Sequence, residues 1–499
     1  MRTPDDHPEV RAGDRGGSPI AGADPSRPLD ALFVNAPLRD YTLRPRVNDF
    51  TLPVLGMAYI ATYVATRGFN VGLLDAEAHG LTPAAVSDLI GAAAPRWVAM
   101  NLLAPTYEMS ARLADALPPG TMLMVGGHHA RAMPQRILAD PRMHALEALV
   151  IGEGETRVAA LLEDYRARAD LPAVMWTDRV LGQPVTGVAR DGLSHPHLAP
   201  DIDALPFVDR RYLVQDPALA AGRWEANMVG ARGCPYDCSF CGAAVSANPD
   251  VTIRVRTAAG IAAEMDQLRA VGVSAFRFVD DLFLGARRVI ETMAAGFAAE
   301  RVGEWAVWDA TGRINVLDRV DDALLGKLAA NGLREVALGI ESGSQRILDM
   351  VDKRITPEMT ERVIDRLLAR GINVKGYFIV GFPTETAEEI DQTAALVTRL
   401  WDRTAGRPGT FRASMFEYRP YPGTPDWRRL TAEGRYRPEQ LLDYAPVDLT
   451  AGGVDPAMLA RDEFNFSVNL QLSDAPLSYV RDTLTRVTRA QHERAAARA

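Results

Sequence analysis

All three cysteines of this 499-residue chain, Cys234, Cys238 and Cys241, fall between positions 234 and 241. No other feature limits the possible fold as sharply. An odd set packed this tightly is not a disulfide framework. The segment Gly233-Cys234-Pro235-Tyr236-Asp237-Cys238-Ser239-Phe240-Cys241-Gly242 directly follows an apolar stretch, Ala226–Ala231, with the look of a strand. A loop at a strand end can fold three thiolates around one centre. A structural zinc site is one alternative, but it usually takes four ligands in pairs of short spacing. No His lies near these cysteines in sequence, although one could come from afar. Three inert, buried cysteines are the other alternative. In a four-iron cube, three thiolates leave one iron with an open position. A substrate with an amine and a carboxylate, such as the methionine end of S-adenosylmethionine (SAM), could chelate that iron. An electron delivered to the sulfonium would break a C–S bond and release a 5′-deoxyadenosyl radical.

The surroundings of the loop predict an α/β chain. Strands are expected at Ala31–Asn35, Phe69–Asp75, Trp97–Leu103, Thr121–Val125 and Ala148–Ile151. Helical patterns separate them, as at Leu55–Arg67 and Pro83–Ala94. Apolar strands alternating with helices indicate a parallel, doubly wound sheet. Ligands on such sheets bind beyond the strand C-termini, where Gly126-Gly127-His128-His129 and Gly152-Glu153-Gly154-Glu155 fall. The pattern breaks over residues 166–225. A second series follows, with strands expected at Ala226–Ala231, Ala275–Asp280, Trp305–Thr311, Glu335–Ile340, Val374–Val380 and Ala413–Arg419. Six β/α units suggest a barrel that is complete in six strands or left partly open. The expected division is a disordered leader 1–30, a Rossmann-like domain 31–165, a linker 166–225, a barrel 226–427 and an extension 428–499.

The cysteine spacing, C-x3-C-x2-C with Phe240 before the last Cys, resembles that of the radical SAM superfamily. Phe278-Val279-Asp280-Asp281-Leu282-Phe283, Arg313, Gly339-Ile340-Glu341-Ser342-Gly343-Ser344 with Lys353, Gly381-Phe382-Pro383-Thr384-Glu385 and Tyr421-Pro422-Gly423-Thr424-Pro425 match its later motifs in order. The resemblance implies a partial (β/α)6 radical SAM barrel with a [4Fe-4S] cluster on Cys234, Cys238 and Cys241. It also implies Phe240 beside the adenine, and Arg313, Glu341 and Ser342 around SAM. Helix capping is the bland alternative for Asp280 and Asp281, and a mutual salt bridge for Arg313 and Glu341.

Residues 31–160 resemble the cobalamin-binding domain that precedes the barrel in one branch of that superfamily. The matching features are Pro53-Val54-Leu55-Gly56-Met57-Ala58-Tyr59, Leu74-Asp75 and the two glycine turns. The resemblance implies that Gly126, Gly127, His128 and the turn Gly152, Glu153, Gly154 face a corrinoid. Asn35-Ala36-Pro37-Leu38-Arg39-Asp40-Tyr41 lacks the His of corrinoid domains that ligate cobalt from below, and His79 has the wrong spacing. Bound cobalamin would then have no protein His under the metal.

The implied activity is a cobalamin-dependent C-methyltransferase acting on an unactivated carbon of a small secondary metabolite, as in antibiotic biosynthesis. The alternative is a cobalamin-independent dehydratase, epimerase or mutase, for instance on an aminosugar, with Asp280, Asp281 and Glu417 meeting the amine. A non-catalytic redox sensor is the third class. An external donor of the flavodoxin or ferredoxin type is expected to supply electrons. The formal charge of −9 gives no basic footprint for nucleic acid. No apolar run reaches the roughly 20 residues of a membrane span, and the first residues carry no apolar signal core. A cytoplasmic location is therefore expected, where thiols stay reduced.

Overall fold

The computed structural model describes residues 18–38, 40–42, 53–178, 180–188, 200–213, 225–248, 251, 253–442, 467 and 470–496. Its first sheet contains β1 (Ile20–Ala21), β2 (Ala31–Asn35), β3 (Val71–Asp75), β4 (Trp97–Asn101), β5 (Met122–Gly126), β6 (Leu146–Val150), β7 (Val174–Asp178) and β8 (Gln183–Thr186). Their spatial order is β1-β3-β2-β4-β5-β6-β7-β8. The five inner strands run parallel. Chain order reverses between β2 and β4, the crevice at which doubly wound sheets take their ligands. Buried strands such as Val71-Gly72-Leu73-Leu74-Asp75 are apolar on both faces because helices cover both sides. Helix Pro83–Ala93 starts where Thr82 caps Ala85 N and Pro83 presets the first turn.

This sheet extends past the limits expected from sequence. Ile20 and Ala21, placed in the leader, pair antiparallel with Leu74 and Leu73. The Asn70 amide ties Asp24, Arg27 and Pro28 down. Positions 1–17 of the expected leader lie outside the described residues. At the other edge, β7 and β8 form a hairpin on β6 inside the expected linker. Leu205 and Val208, also in that linker, are buried against helix Leu55–Ala65.

β9 (Glu225–Met228) opens the second sheet. The two-stranded ribbon of β10 (Ala231–Arg232) and β11 (Arg254–Val255) brackets the cysteine loop. β12 (Ala275–Phe278), β13 (Val307–Gly312), β14 (Leu333–Glu341), β15 (Asn373–Val380) and β16 (Phe411–Glu417) complete an all-parallel order β16-β15-β14-β13-β12-β9. β9 and β16 are its two edges, so the barrel is open. Helix Leu477–Ala496 packs on β16, and Gln491 Oε1 accepts from both Ala413 N and Trp401 Nε1. An edge amide that would otherwise be unpaired is thereby capped. Phe278, Phe283, Phe297 and Trp308 fill the core beneath the first barrel strands. No helix among the described residues is long and apolar enough to cross a membrane.

Candidate functional site

The cysteine loop leaves β10 through Gly233, whose φ of +85° is open to glycine at no steric cost. Cys238 is buried, while Cys234 and Cys241 are partly exposed. Backbone contacts fix the loop from beneath: Ser239 N donates to Val351 O at 3.1 Å, and Asp426 N to Ser239 O at 2.8 Å. No group of three or more His, Cys, Asp or Glu side chains among the described residues is gathered as a metal site. What the loop offers is donors aimed at sulfur. Ala243 N reaches Cys241 Sγ at 3.4 Å, and Arg313 Nη1 reaches Cys238 Sγ at 3.4 Å. Burial pushes the Cys241 thiol up to about 12 and raises that of Cys234. Thiolates here call for a compensating cation, so metal loading would release protons. N–H donors to sulfur are a known lever on cluster potential. This donor set fits an iron–sulfur cluster.

Around the loop, the expected SAM contacts separate. Arg313 does not pair with Glu341. Its guanidinium lies 3.6 Å from the Tyr236 ring centroid and donates to Lys353 O at 2.6 Å as well as to Cys238. Glu341 pairs instead with Lys353, Nζ to Oε1 at 2.6 Å, and both are buried. A bulge at Gly339/Glu341 turns the carboxylate inward, and Glu341 takes a φ of +66°. A Cβ on Gly339 would lie 2.2 Å from Glu341 Oε1, which accounts for the glycine. Ser342 is fully buried, and its hydroxyl serves Thr393 and Ser344 N. Its side chain is thus a strap between β14 and helix Ala387–Asp402. Phe240 stands edge-on to Phe382 with ring centroids 5.6 Å apart, next to Lys353.

The acidic strand ends also differ from one another. Asp280 caps no helix: the next helix, Arg287–Ala299, begins after Ala286. Both Asp280 oxygens instead accept from Gly230 N at 2.9 and 3.1 Å, locking β12 to β9. Burial pushes its carboxyl up to about 7. Glu417 is taken by Arg419 and Arg481. Only Asp281 faces open space. It lines a cleft with His128, Gly233, Cys234 and Asn248, where the first sheet meets the cysteine loop.

On the first sheet, Gly126 and Gly127 end β5, and Gly152, Glu153 and Gly154 follow β6 at the same edge. Gly127 has a φ of +95°, and a Cβ there would lie 2.1 Å from Asn101 Oδ1. A Cβ on Gly154 would meet Ile60 Cδ1 at 2.7 Å, so this glycine serves helix packing. His128 is exposed to the cleft. His129 is buried against Tyr107, with ring centroids 4.7 Å apart, and burial pushes its imidazole down to about 4. The Glu153 carboxylate turns away from this edge toward the barrel, where Arg232 and Arg254 bind it. Small residues at a crevice opposite the cysteine loop suit a broad, flat corrinoid. Sequence reasoning passed over Arg232, Arg254 and Asp426, because each acts through a partner remote in the chain.

Residues 228–397 match the Radical SAM superfamily, and residues 47–162 match the B12 binding domain. An uncharacterized methyltransferase of Pyrococcus horikoshii is 26% identical over 410 residues, spanning 81% of this chain and 84% of that protein. The anaerobic magnesium-protoporphyrin IX monomethyl ester cyclase of Rubrivivax gelatinosus is 26% identical over 364 residues, 70% of this chain and 62% of the cyclase. The radical SAM methyltransferase TsrM from Kitasatospora setae shares the fold, with a TM-score of 0.61 at 17% identity over 82% of this chain and 76% of that one.

Proposed function

This chain is a member of the radical SAM superfamily with a B12-binding domain ahead of its barrel, and from that premise we propose that it is a cobalamin-dependent methyltransferase acting on an unactivated carbon of a small secondary metabolite. The observation that carries this reading is the seam itself, where His128 at the corrinoid-type edge and Cys234 of the cluster loop line one cleft. The near full-length match to a methyltransferase supports methyl transfer over ring closure, since the cyclase is matched over a smaller share of its length.

Cys234, Cys238 and Cys241 would hold the cluster, and the glycine edge of the first sheet would hold the corrinoid. When bound, the cluster supplies an electron for SAM cleavage and cobalamin carries the methyl group to be transferred. The remaining chemistry belongs to the chain. Arg313 places positive charge on the cysteine loop, against the burial that raises the Cys234 thiol. The Glu341–Lys353 pair presents a fixed dipole beside Phe240 where the cosubstrate would lie. Phe240, Phe382 and Tyr418 wall off water beneath the loop. Asp281 and His128 are the polar groups left to orient a substrate in the cleft. Electrons would come from a flavodoxin- or ferredoxin-type donor in the cytoplasm.

The test is anaerobic turnover with methyl-deuterated SAM, beside the absorption spectrum of protein produced with cobalamin available. Label in the product, S-adenosylhomocysteine and a corrin band are expected. 5′-Deoxyadenosine alone, from protein without corrin, would overturn the reading.

A further inference from the structure

Four charged side chains join the two sheets. Glu153 and Glu155 stand after β6, Arg232 in β10 just before the cysteine loop, and Arg254 opposite it in β11. Arg232 bridges both carboxylates, Nη1 to Glu153 Oε2 and Nη2 to Glu155 Oε1, each at 2.7 Å. Arg254 takes the second oxygen of Glu153 and donates to Pro200 O at 2.8 Å. The Arg232 guanidinium also lies 5.3 Å from the Tyr59 ring centroid, on the first helix of the corrinoid-type domain. The Glu155 side chain is 3% exposed and that of Arg232 is 17% exposed, so bulk water screens the pair poorly. Arg157, buried, braces the same turn by donating to Glu153 O at 2.9 Å and Pro172 O at 3.0 Å.

A desolvated ionic network adds little net stability, and its best-attested use is to fix register. Here the register is between two cofactor platforms. The ribbon that carries Arg232 and Arg254 runs through Gly233 directly into Cys234, and the turn that carries Glu153 and Glu155 ends a strand of the opposite platform. We propose that these four residues form an ionic clamp that sets the spacing between the cluster loop and the corrinoid edge. Its members are positioning residues: they act on the reaction through the loop and the turn. The inference rests on the two-cofactor reading above.

The test uses the full chain, loaded anaerobically with iron, sulfide and cobalamin and then reduced. Spin–spin broadening between the reduced cluster and cob(II)alamin reports their separation by electron paramagnetic resonance, independently of turnover. Arg232→Gln is expected to weaken that coupling and to raise the 5′-deoxyadenosine formed per methylated product several-fold. Arg232→Lys, which keeps the charge but loses the fork, is expected to fall between. If Arg232→Gln fails to take up iron, Glu155→Gln carries the measurement from the other side of the seam. Unchanged coupling in both Gln variants at wild-type metal content would overturn the clamp. If the wild-type chain binds no corrin, the functional reading fails by itself. The clamp is then judged on the apo chain by hydrogen exchange at β10 and at the turn after β6. Faster exchange in Arg232→Gln supports it, and unchanged exchange overturns it.

Discussion

The first sheet ends in backbone, with Gly126, Gly127 and Gly152 at its C-terminal edge, whereas the second ends in side chains, with three thiols, Arg313, Glu341 and Lys353. Both edges open on the same seam. The first is shielded on its flanks by antiparallel strands, and the second stays all-parallel with a helix across its open side. A platform made of glycine turns would hold a large cofactor by shape and by backbone donors and acceptors. A platform made of thiols and paired charges would hold its cofactor by bonds and field. Mutations at the two edges should therefore fail differently.

The largest effect separates them outright. Replacing Cys234, Cys238 and Cys241 together by Ala should abolish iron uptake and SAM cleavage, while corrin uptake by the first sheet persists. Metal analysis and the visible spectrum on one preparation check both halves. Retained iron would break the contrast. Next comes Lys353→Met, which leaves Glu341 charged and buried without its partner. Losing one member of such a pair costs about 3–5 kcal/mol, so the denaturation midpoint of the barrel and the affinity for SAM should both fall. The double variant Lys353→Met/Glu341→Gln should recover part of the stability but not the SAM affinity. Recovery of both would reduce the pair to packing.

On the first platform the expected loss is smaller and purely steric. Gly127→Ala forces a Cβ onto Asn101 Oδ1 and keeps a left-handed backbone, a strain on the order of 1–3 kcal/mol. Corrin content should drop while iron content stays constant. A fall in iron instead would mean that the two edges are coupled more tightly than the clamp alone provides.

Most of the scaffold was legible in the sequence because buried parallel strands are continuous apolar runs; Ala31–Asn35 matches its predicted limits and Asn373–Val380 nearly so. The cysteine loop was legible because its three ligand-type residues are local. Pairings that join distant segments were not. Asp280 sits where a helix cap or a substrate anchor would sit, but its partner is Gly230, in the link between β9 and β10, whose backbone amide no pattern marks. The salt bridge offered as the bland alternative for Arg313 and Glu341 does not form: they take Cys238 and Lys353, because the bulge at Gly339 rotates Glu341 off the regular strand register. Ile20–Ala21 lies next to a segment rich in Gly and Pro, and only the free edge of β3 reveals it as a strand.

The smallest expected effect is a matter of sign. His129, in the first domain, is held neutral by burial, with its imidazole pushed down to about 4 from 6.5. The unfolded chain binds that proton first, so the stability His129 contributes is full above 6.5 and is lost as pH falls toward 4. Glu385, in the barrel, is held protonated by burial, pushed up to about 7 from 4.5. Its contribution is full below 4.5 and is lost as pH rises toward 7. Each slope is on the order of 1 kcal/mol per pH unit. Acidification from about pH 7 to about pH 5 should thus loosen β5 and tighten β15, read separately by hydrogen exchange in each strand. Glu385→Gln should shrink the barrel's response without touching that of the first sheet, with Asp280, also pushed up to about 7 by burial, supplying what remains, since the Gln Oε1 can keep the bonds that one carboxylate oxygen now accepts from Gly381 N and Phe382 N. If both sheets instead follow pH in the same direction, they unfold as one unit, and the division between a platform of shape and a platform of bonds does not extend to stability.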